Sequence, residues 1–430
     1  MRKYWCLFSI LIAGFCYSAI VIPGADGSDG LLHVTQNMTI DLGEALTGTW
    51  DDSNATNAGK GVYDSEKWAV VFKYSSVTID SGCTLKFINH PSNPPVMWLV
   101  NGDVTINGTI DIGGGDGHAA TSDRFFSVSG PGGFRGGKVR ISSREGSAGF
   151  GPGAGTYCEI GNYGAGGGYG SDGYGWSADK NRGGCTYGNE IVVPLIGGSG
   201  GAGSSKSGNY GAKESGGGAG GGALFVASYR LMLNGAIKAD GGEAGDDDSY
   251  KSERTGGAGS GGAIRLVADE IIIAGSVNLS AIGGSSDLGG NGGIGRIRIE
   301  ANTASLDDIT GQPACSAGIP GNPVKLWPDA AHPVVKVQTL AEHDVPTNLV
   351  ANLNFTSTDM VVNDTGVQTA IIETQNVPIT ATVKVFVVPL EGNLKEFVAT
   401  HQGGNTALST WTANLNLNEG VASIQARADF

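Results

Sequence analysis

Past its first few residues, the chain has no apolar run long enough to cross a bilayer as a helix. It has no CxxC pair and no histidine-rich spacing, which removes the common structural zinc sites. No window sustains a 3.6-residue apolar period. With 74 glycines in 430 residues, helix is disfavoured by propensity as well. Basic residues are also scarce: Lys and Arg number 27 against 41 Asp and Glu, a formal net charge of −14, with no basic runs. That balance argues against nucleic-acid binding and against anionic membrane surfaces.

What is present is repetition. Gly221-Gly222-Ala223-Leu224-Phe225-Val226-Ala227, followed by Leu231 to Ala239, is answered by Gly261-Gly262-Ala263-Ile264-Arg265-Leu266-Val267-Ala268 and Ile271 to Leu279. Ala223 to Ala263 and Gly235 to Gly275 are both offsets of 40, and a third copy begins at Gly293-Ile294-Gly295-Arg296. A fixed period of this size marks stacked repeats. Within each copy, period-two alternation reads as strand, and the glycine after each middle run reads as a sharp bend. Such a coil cannot bury its apolar side alone, so coils must stack.

The same unit appears earlier. Val34 to Leu42 alternates, Trp68 to Lys73 is a second run, and Val77 to Phe87 and Val104 to Ile112 each give strand, bend, strand about Gly82 and Gly108. The segment between Gly108 and Gly235 is therefore an insertion, taken as 113–222. About one residue in three there is glycine without a three-residue period, which excludes collagen. It also carries Phe126, Phe134, Phe150, Tyr169, Tyr187 and an apolar run at 191–196, unlike a flexible linker. The expectation is ordered loops packed over one face of the coils.

Met1-Arg2-Lys3, an apolar run to Phe15 and small residues near 18 read as a secretory signal peptide over 1–18. The mature chain then divides into a solenoid over 19–312, a Pro/Gly linker over 313–333 and a strand-rich unit over 334–430. The expected fold is all-β: a right-handed parallel β-helix with a long glycine-rich insertion and a C-terminal β-sandwich of immunoglobulin or fibronectin type III shape. In that sandwich Ala407, Ser409, Trp411, Ala413, Leu415 and Leu417 share one face, with Trp411 in the core. The short arm from Ala19 to Pro23 is expected to fold back as a cap on the open end of the solenoid, the alternative being that it pairs with a neighbouring molecule.

Pro23 to Gly30, Glu66 to Tyr74, Val96 to Val100, Pro131 to Gly137 and Pro194 to Gly201 together resemble a group of glycine-rich exported bacterial proteins with β-helix-like repeats and a C-terminal immunoglobulin-like domain. The resemblance implies a secreted or surface protein and brings no catalytic residues with it.

Chemistry is sparse. In an exported chain Cys158 and Cys185 are candidates for a disulfide, with Cys83 and Cys315 a weaker pair. Asp26 and Asp29, and Asp240 with Glu243, Asp246, Asp247 and Asp248, place hard oxygen donors in glycine-rich loops, the ligand type calcium prefers; neither set has the full EF-hand spacing. Asp111, Asp116, His118, Arg124 and Arg135 could gather beside the insertion as a polysaccharide-cleaving cluster, but no motif joins them. The functional expectation is an exported, non-enzymatic structural or adhesive protein at the cell surface or outside it. It would self-associate into filaments or a matrix, or bind surface glycans or proteins. The alternative is a carbohydrate-binding or polysaccharide-degrading β-helix enzyme.

Overall fold

The computed structural model describes residues 19–430 apart from 53–58, 119–125, 139–146, 157–162, 176–182, 205–214, 246–255, 275–276, 288–289, 305–308, 347–348, 350–357 and 390–393. The expected signal peptide lies outside these residues. The chain is all-β, with one 3-10 turn, Leu42–Glu44, among the described residues.

Strands Met38–Asp41, Thr84–Ile88, Thr109–Asp111, Ala236–Lys238, Val277–Ser280 and Ile309–Gln312 stack in that order, every neighbour parallel. A second sheet faces them. At its centre, Ala223–Leu233 runs beside Val96–Leu99 with its first half and beside Asp103–Ile106 with its second half. On its other side come Ala263–Ile273, Arg296–Ala304 and Ser316–Gly318, again parallel. The repeat read from the sequence is the register itself, since Ala223 pairs with Ala263. The chain leaves this stack after Asp111 and returns in register, Thr109 pairing with Ala236. Gly235 sits directly on Gly108: a Cβ there would lie 2.0 Å from the Gly108 carbonyl oxygen.

Period-two alternation puts Phe72, Trp98, Val226, Leu266 and Ile299 between the two sheets with Leu85, Ile110, Ile237 and Leu279. The alternate residues of the larger sheet, Val71, Met97, Phe225 and Val267, are buried on its outer face. What covers that face departs from expectation. The Ala19–Pro23 arm does not cap an end. Ile20 and Ile22 lie along the side of the sheet with Val324 and Leu326 from the Pro/Gly segment, and Val324 N–H donates to the Val21 carbonyl (2.8 Å). The physical reason is that this sheet is apolar on both faces, so its side offers more surface to bury than the end of a coil does. Segment 313–333 is correspondingly no free linker. Replacing both Ile20 and Ile22 by Ala should therefore cost the purified monomer about 3 kcal/mol or more in urea denaturation; unchanged stability would mean the arm merely rests on the surface.

The described residues of the insertion pack over the outer face of the larger sheet, as expected of ordered loops, but they do so as a bundle of extended segments that includes the glycine-rich turns between the repeated strands. Along 216–221 the N–H groups donate in a three-residue cycle: Gly216 to His118, Gly217 to Gly137, Gly218 to Gly257, then Ala219 to Gly115, Gly220 to Phe134 and Gly221 to Ser260. Segment 257–262 repeats the cycle toward 202, 290 and 242, then 199, 293 and 239. A β-strand has neighbours on two sides only. Donors that point to three neighbours in rotation, with no bond inside the segment, describe a polyproline-II-like helix of three residues per turn. The packing explains the glycines. A Cβ on Gly257 would lie 1.9 Å from the Ala165 carbonyl oxygen, and one on Gly218 would lie 2.1 Å from that of Gly242. Close approach, rather than positive φ, is what requires glycine here.

The aromatic residues of the insertion fix the bundle to the strands. Tyr169 and Tyr187 pack together on the outer face of the larger sheet (ring centroids 4.7 Å apart), and Phe134 stacks on Trp68 (6.3 Å). Arg135 is buried between the rings of Phe126 (3.6 Å) and Phe150 (3.3 Å), and burial pushes its guanidinium well below its ordinary pKa.

Residues 334–429 form two antiparallel sheets around a core of their own. One runs His343–Asp344, Val334–Leu340, Gly366–Gln375, Leu408–Leu417, Thr400–Asn405; the other runs Lys395–Val398, Thr382–Pro389, Ala422–Asp429. Ser409, Trp411, Ala413 and Leu415 point inward as the alternation predicts. The Trp411 Nε1–H donates to Thr374 Oγ1 at 3.0 Å.

Candidate functional site

Six parallel strands present one outer surface. Because the register is parallel and side chains alternate, one residue per strand aligns across it: Thr39, Lys86, Asp111, Lys238, Ser280 and Gln312. A second row carries Thr84, Thr109, Ala236, Asn278 and Thr310. Neighbours along a row stand one strand spacing apart, about 4.8 Å. Lys86 Nζ reaches Asp111 Oδ2 at 2.9 Å, and Lys238 is exposed. The Lys86–Asp111 pair is solvated, so its contribution to stability is about 0–1 kcal/mol.

Where the bundle joins this surface there is a cleft of about 330 Å³. Its lining includes the apolar Ile88, Val128 and Pro131 and the polar Lys86, Asp111 and Asn89. Ile88 and Val128 are 54% and 51% exposed, unusual for large apolar residues in so well packed a region. The wall is rigid. The Asn89 Nδ2–H donates to the Ser129 carbonyl at 2.7 Å, and the Asn93 Nδ2–H donates to Ser129 Oγ and to the Gly133 carbonyl.

The residues singled out from sequence are dispersed. Asp26 accepts from Ser28 N–H (2.8 Å) and pairs with the buried Lys73 ammonium (3.3 Å). Burial works against its ionisation, but the Ser28 bonds and Lys73 hold its carboxyl below the usual value. Asp29 is buried and accepts from the backbone N–H groups of Lys73 (2.6 Å) and Gly61 (3.1 Å); burial pushes its carboxyl up despite them. The two aspartates therefore tie the first loop to Lys73, between strands Ala69–Phe72 and Tyr74–Ile79. Asp240 Oδ1 accepts from Ser280 Oγ–H and from Ile282 N–H (3.0 Å). Glu243 N–H donates to Asp116 Oδ1 (2.8 Å), and Glu243 Oε1 accepts from Ser285 Oγ (3.2 Å). These three stitch adjacent segments of the bundle. Among the described residues no group of three or more His, Cys, Asp or Glu could hold a metal ion; Asp246, Asp247 and Asp248 lie outside them.

The polysaccharide-cleaving cluster does not assemble among the described residues. Asp111 faces Lys86, Asp116 holds Glu243, Arg135 is enclosed by two phenyl rings, and Arg124 lies outside the described set. Nor does Cys185 form a disulfide. It is a free, exposed thiol 3.1 Å from Arg427 Nη1, and Cys158 lies outside the described residues. Its segment is already fixed by backbone bonds such as Gly184 N–H to the Gly166 carbonyl (2.9 Å). Cys83 and Cys315 are free as well, and burial pushes the Cys315 thiol up to about 11.

Two features escaped the sequence reading. One is the ladder, whose neighbouring members are separated by up to 127 residues, Asp111 to Lys238, and become a row only through the register. The other is Arg265, buried with Glu300: Arg265 Nε to Glu300 Oε1 is 3.1 Å and Nη2 to Oε2 is 3.3 Å, while Nη1–H donates to the Lys325 carbonyl (2.7 Å). The third-copy motif Arg296-Ile297-Arg298-Ile299-Glu300 contained the signal, an ionisable residue in a run otherwise destined for the core.

No protein-family model, curated protein or solved structure matches this chain. The functional reading rests on the chain's own chemistry.

Proposed function

We propose that the protein is an exported, non-enzymatic scaffold with a structural or adhesive role at or outside the cell surface. Its stacked parallel strands form a right-handed parallel β-helix, and its C-terminal unit is a β-sandwich of immunoglobulin or fibronectin type III type. The observation that carries this reading is the bundle. An extensive set of glycine backbone groups is spent on mutual hydrogen bonds, which produces stiffness and leaves few groups for chemistry. The engagement of Asp116, Asp240, Glu243 and Arg135 in structural contacts supports the non-enzymatic part.

The test has two arms. Antibody labelling of intact cells that produce the protein should find it outside, with residues 1–18 removed from the extracellular form. Incubation of the purified protein with neutral and acidic polysaccharides should release no new reducing ends. Retention in the cytoplasm sinks the location. Depolymerisation that Asp116→Ala abolishes sinks the non-enzymatic reading.

A further inference from the structure

Resting on the adhesive reading, we propose that the cleft and the polar ladder form one binding site for a linear, neutral polysaccharide running across the six parallel strands. The ligand class follows from the surface. The four inner strands of this sheet are paired on both sides, so across its face the backbone is not offered to a peptide and recognition falls to side chains; open backbone remains only at the edge strands Met38–Asp41 and Ile309–Gln312. Those side chains alternate donors and acceptors at one strand spacing, about 4.8 Å, close to the length of one pyranose unit. A chain of sugars laid along the row meets Lys86, Asp111, Lys238 and Gln312 with its hydroxyls and passes over Ser280, which is buried and bonded to Asp240.

The cleft supplies the other half of sugar chemistry. Ile88, Val128 and Pro131 line it with apolar surface for the C–H face of a ring, and Lys86, Asp111 and Asn89 line it with polar groups for its hydroxyls. This accounts for two large apolar side chains left half exposed. Charge selects against polyanions. Asp41, Asp111, Asp116, Asp240 and Glu243 lie on or beside the surface, against Lys86 and Lys238, in a chain of net charge −14. The surface is also preorganised by the bundle on one side and the packed interior beneath, so little ordering is required on binding.

The mature full chain is titrated calorimetrically with cellohexaose, xylohexaose, maltohexaose and chitohexaose, and with oligogalacturonate as the anionic comparison. At least one neutral hexasaccharide should saturate the protein. Its dissociation constant should rise about tenfold in Ile88→Asp and in Asp111→Ala, the loss expected for one desolvated contact or one hydrogen bond to a charged group. Lys384→Ala, in the C-terminal unit, should leave it unchanged. Val128→Asp repeats the first test should Ile88→Asp lower the melting temperature. Three outcomes overturn the site: saturation by none of the neutral hexasaccharides, tighter binding of oligogalacturonate, or a constant unmoved by the cleft variants in folded protein. Export is read by labelling in a separate experiment, so loss of the glycan site and loss of the scaffold reading are told apart.

Discussion

Gly257→Ala should unfold most of the glycine bundle, and with it much of the protein. The new methyl would stand 1.9 Å from the Ala165 carbonyl oxygen, where a C···O contact needs about 3.3 Å. Relief requires the segments to part by more than an ångström. At that displacement the Gly257 N–H to Ala202 bond (2.7 Å) and the Gly218 N–H to Gly257 bond (2.9 Å) cannot both survive. Overpacking costs about 1–3 kcal/mol, and each buried amide group left unpaired about 1–3 kcal/mol more. The expected loss is about 4 kcal/mol or greater, a large share of the about 5–15 kcal/mol that holds a typical domain. Gly403→Ala is the control, since nothing lies within 4 Å of its would-be Cβ; it should change little. Urea denaturation of both variants decides the matter: a Gly257→Ala protein within about 1 kcal/mol of the parent would mean that the bundle is not close-packed as described.

The second large effect is expected at Glu300→Ala. Arg265 and Glu300 are 3% and 5% exposed, and Arg298 Nε adds a third contact at 3.3 Å. Removing the carboxylate leaves the Arg265 guanidinium buried without its counter-charge, a loss of about 3–5 kcal/mol. The same change should loosen the 324–327 segment, which Arg265 holds through the Lys325 carbonyl. Adding Arg265→Met should restore part of the loss, because no buried charge is then left without its partner, while the truncation at position 300 still leaves a cavity. If the two losses simply add, the buried pair is not the coupled unit its geometry implies.

Legibility of the fold followed the range of the interactions concerned. The strands from Val34 to Ile112 and from Thr369 to the end were readable, because alternation records which side of a strand meets water. The bends at Gly82, Gly108 and Gly235 were readable because bends of this kind favour glycine; Gly82 has φ +79°. The bundle was not readable as such. A glycine run looks the same whether its N–H groups meet solvent, a ladder partner or three neighbours in rotation. The placement of the Ile20–Ile22 arm was not readable either, since its apolar character fits an end cap and a side clasp equally.

The candidate site divides in the same way. Asp26, Asp29, Asp240 and Glu243 were visible as acidic residues in glycine-rich loops, but their partners, Lys73, Ser280 and Ser285, lie 40 to 47 residues away in the chain and had no local signature. Composition, the 40-residue period and the alternation of apolar residues determined by themselves an all-β chain whose repeated strands pair in register. Those are properties of short segments, set by side-chain direction and backbone sterics. Tertiary structure alone decided that glycine segments would pack as a three-way hydrogen-bonded bundle, that the apolar arm would lie along a sheet, and that six distant polar residues would align in one row. Each of these depends on which backbone groups and faces are left to satisfy once the strands have paired, and no single segment carries that information.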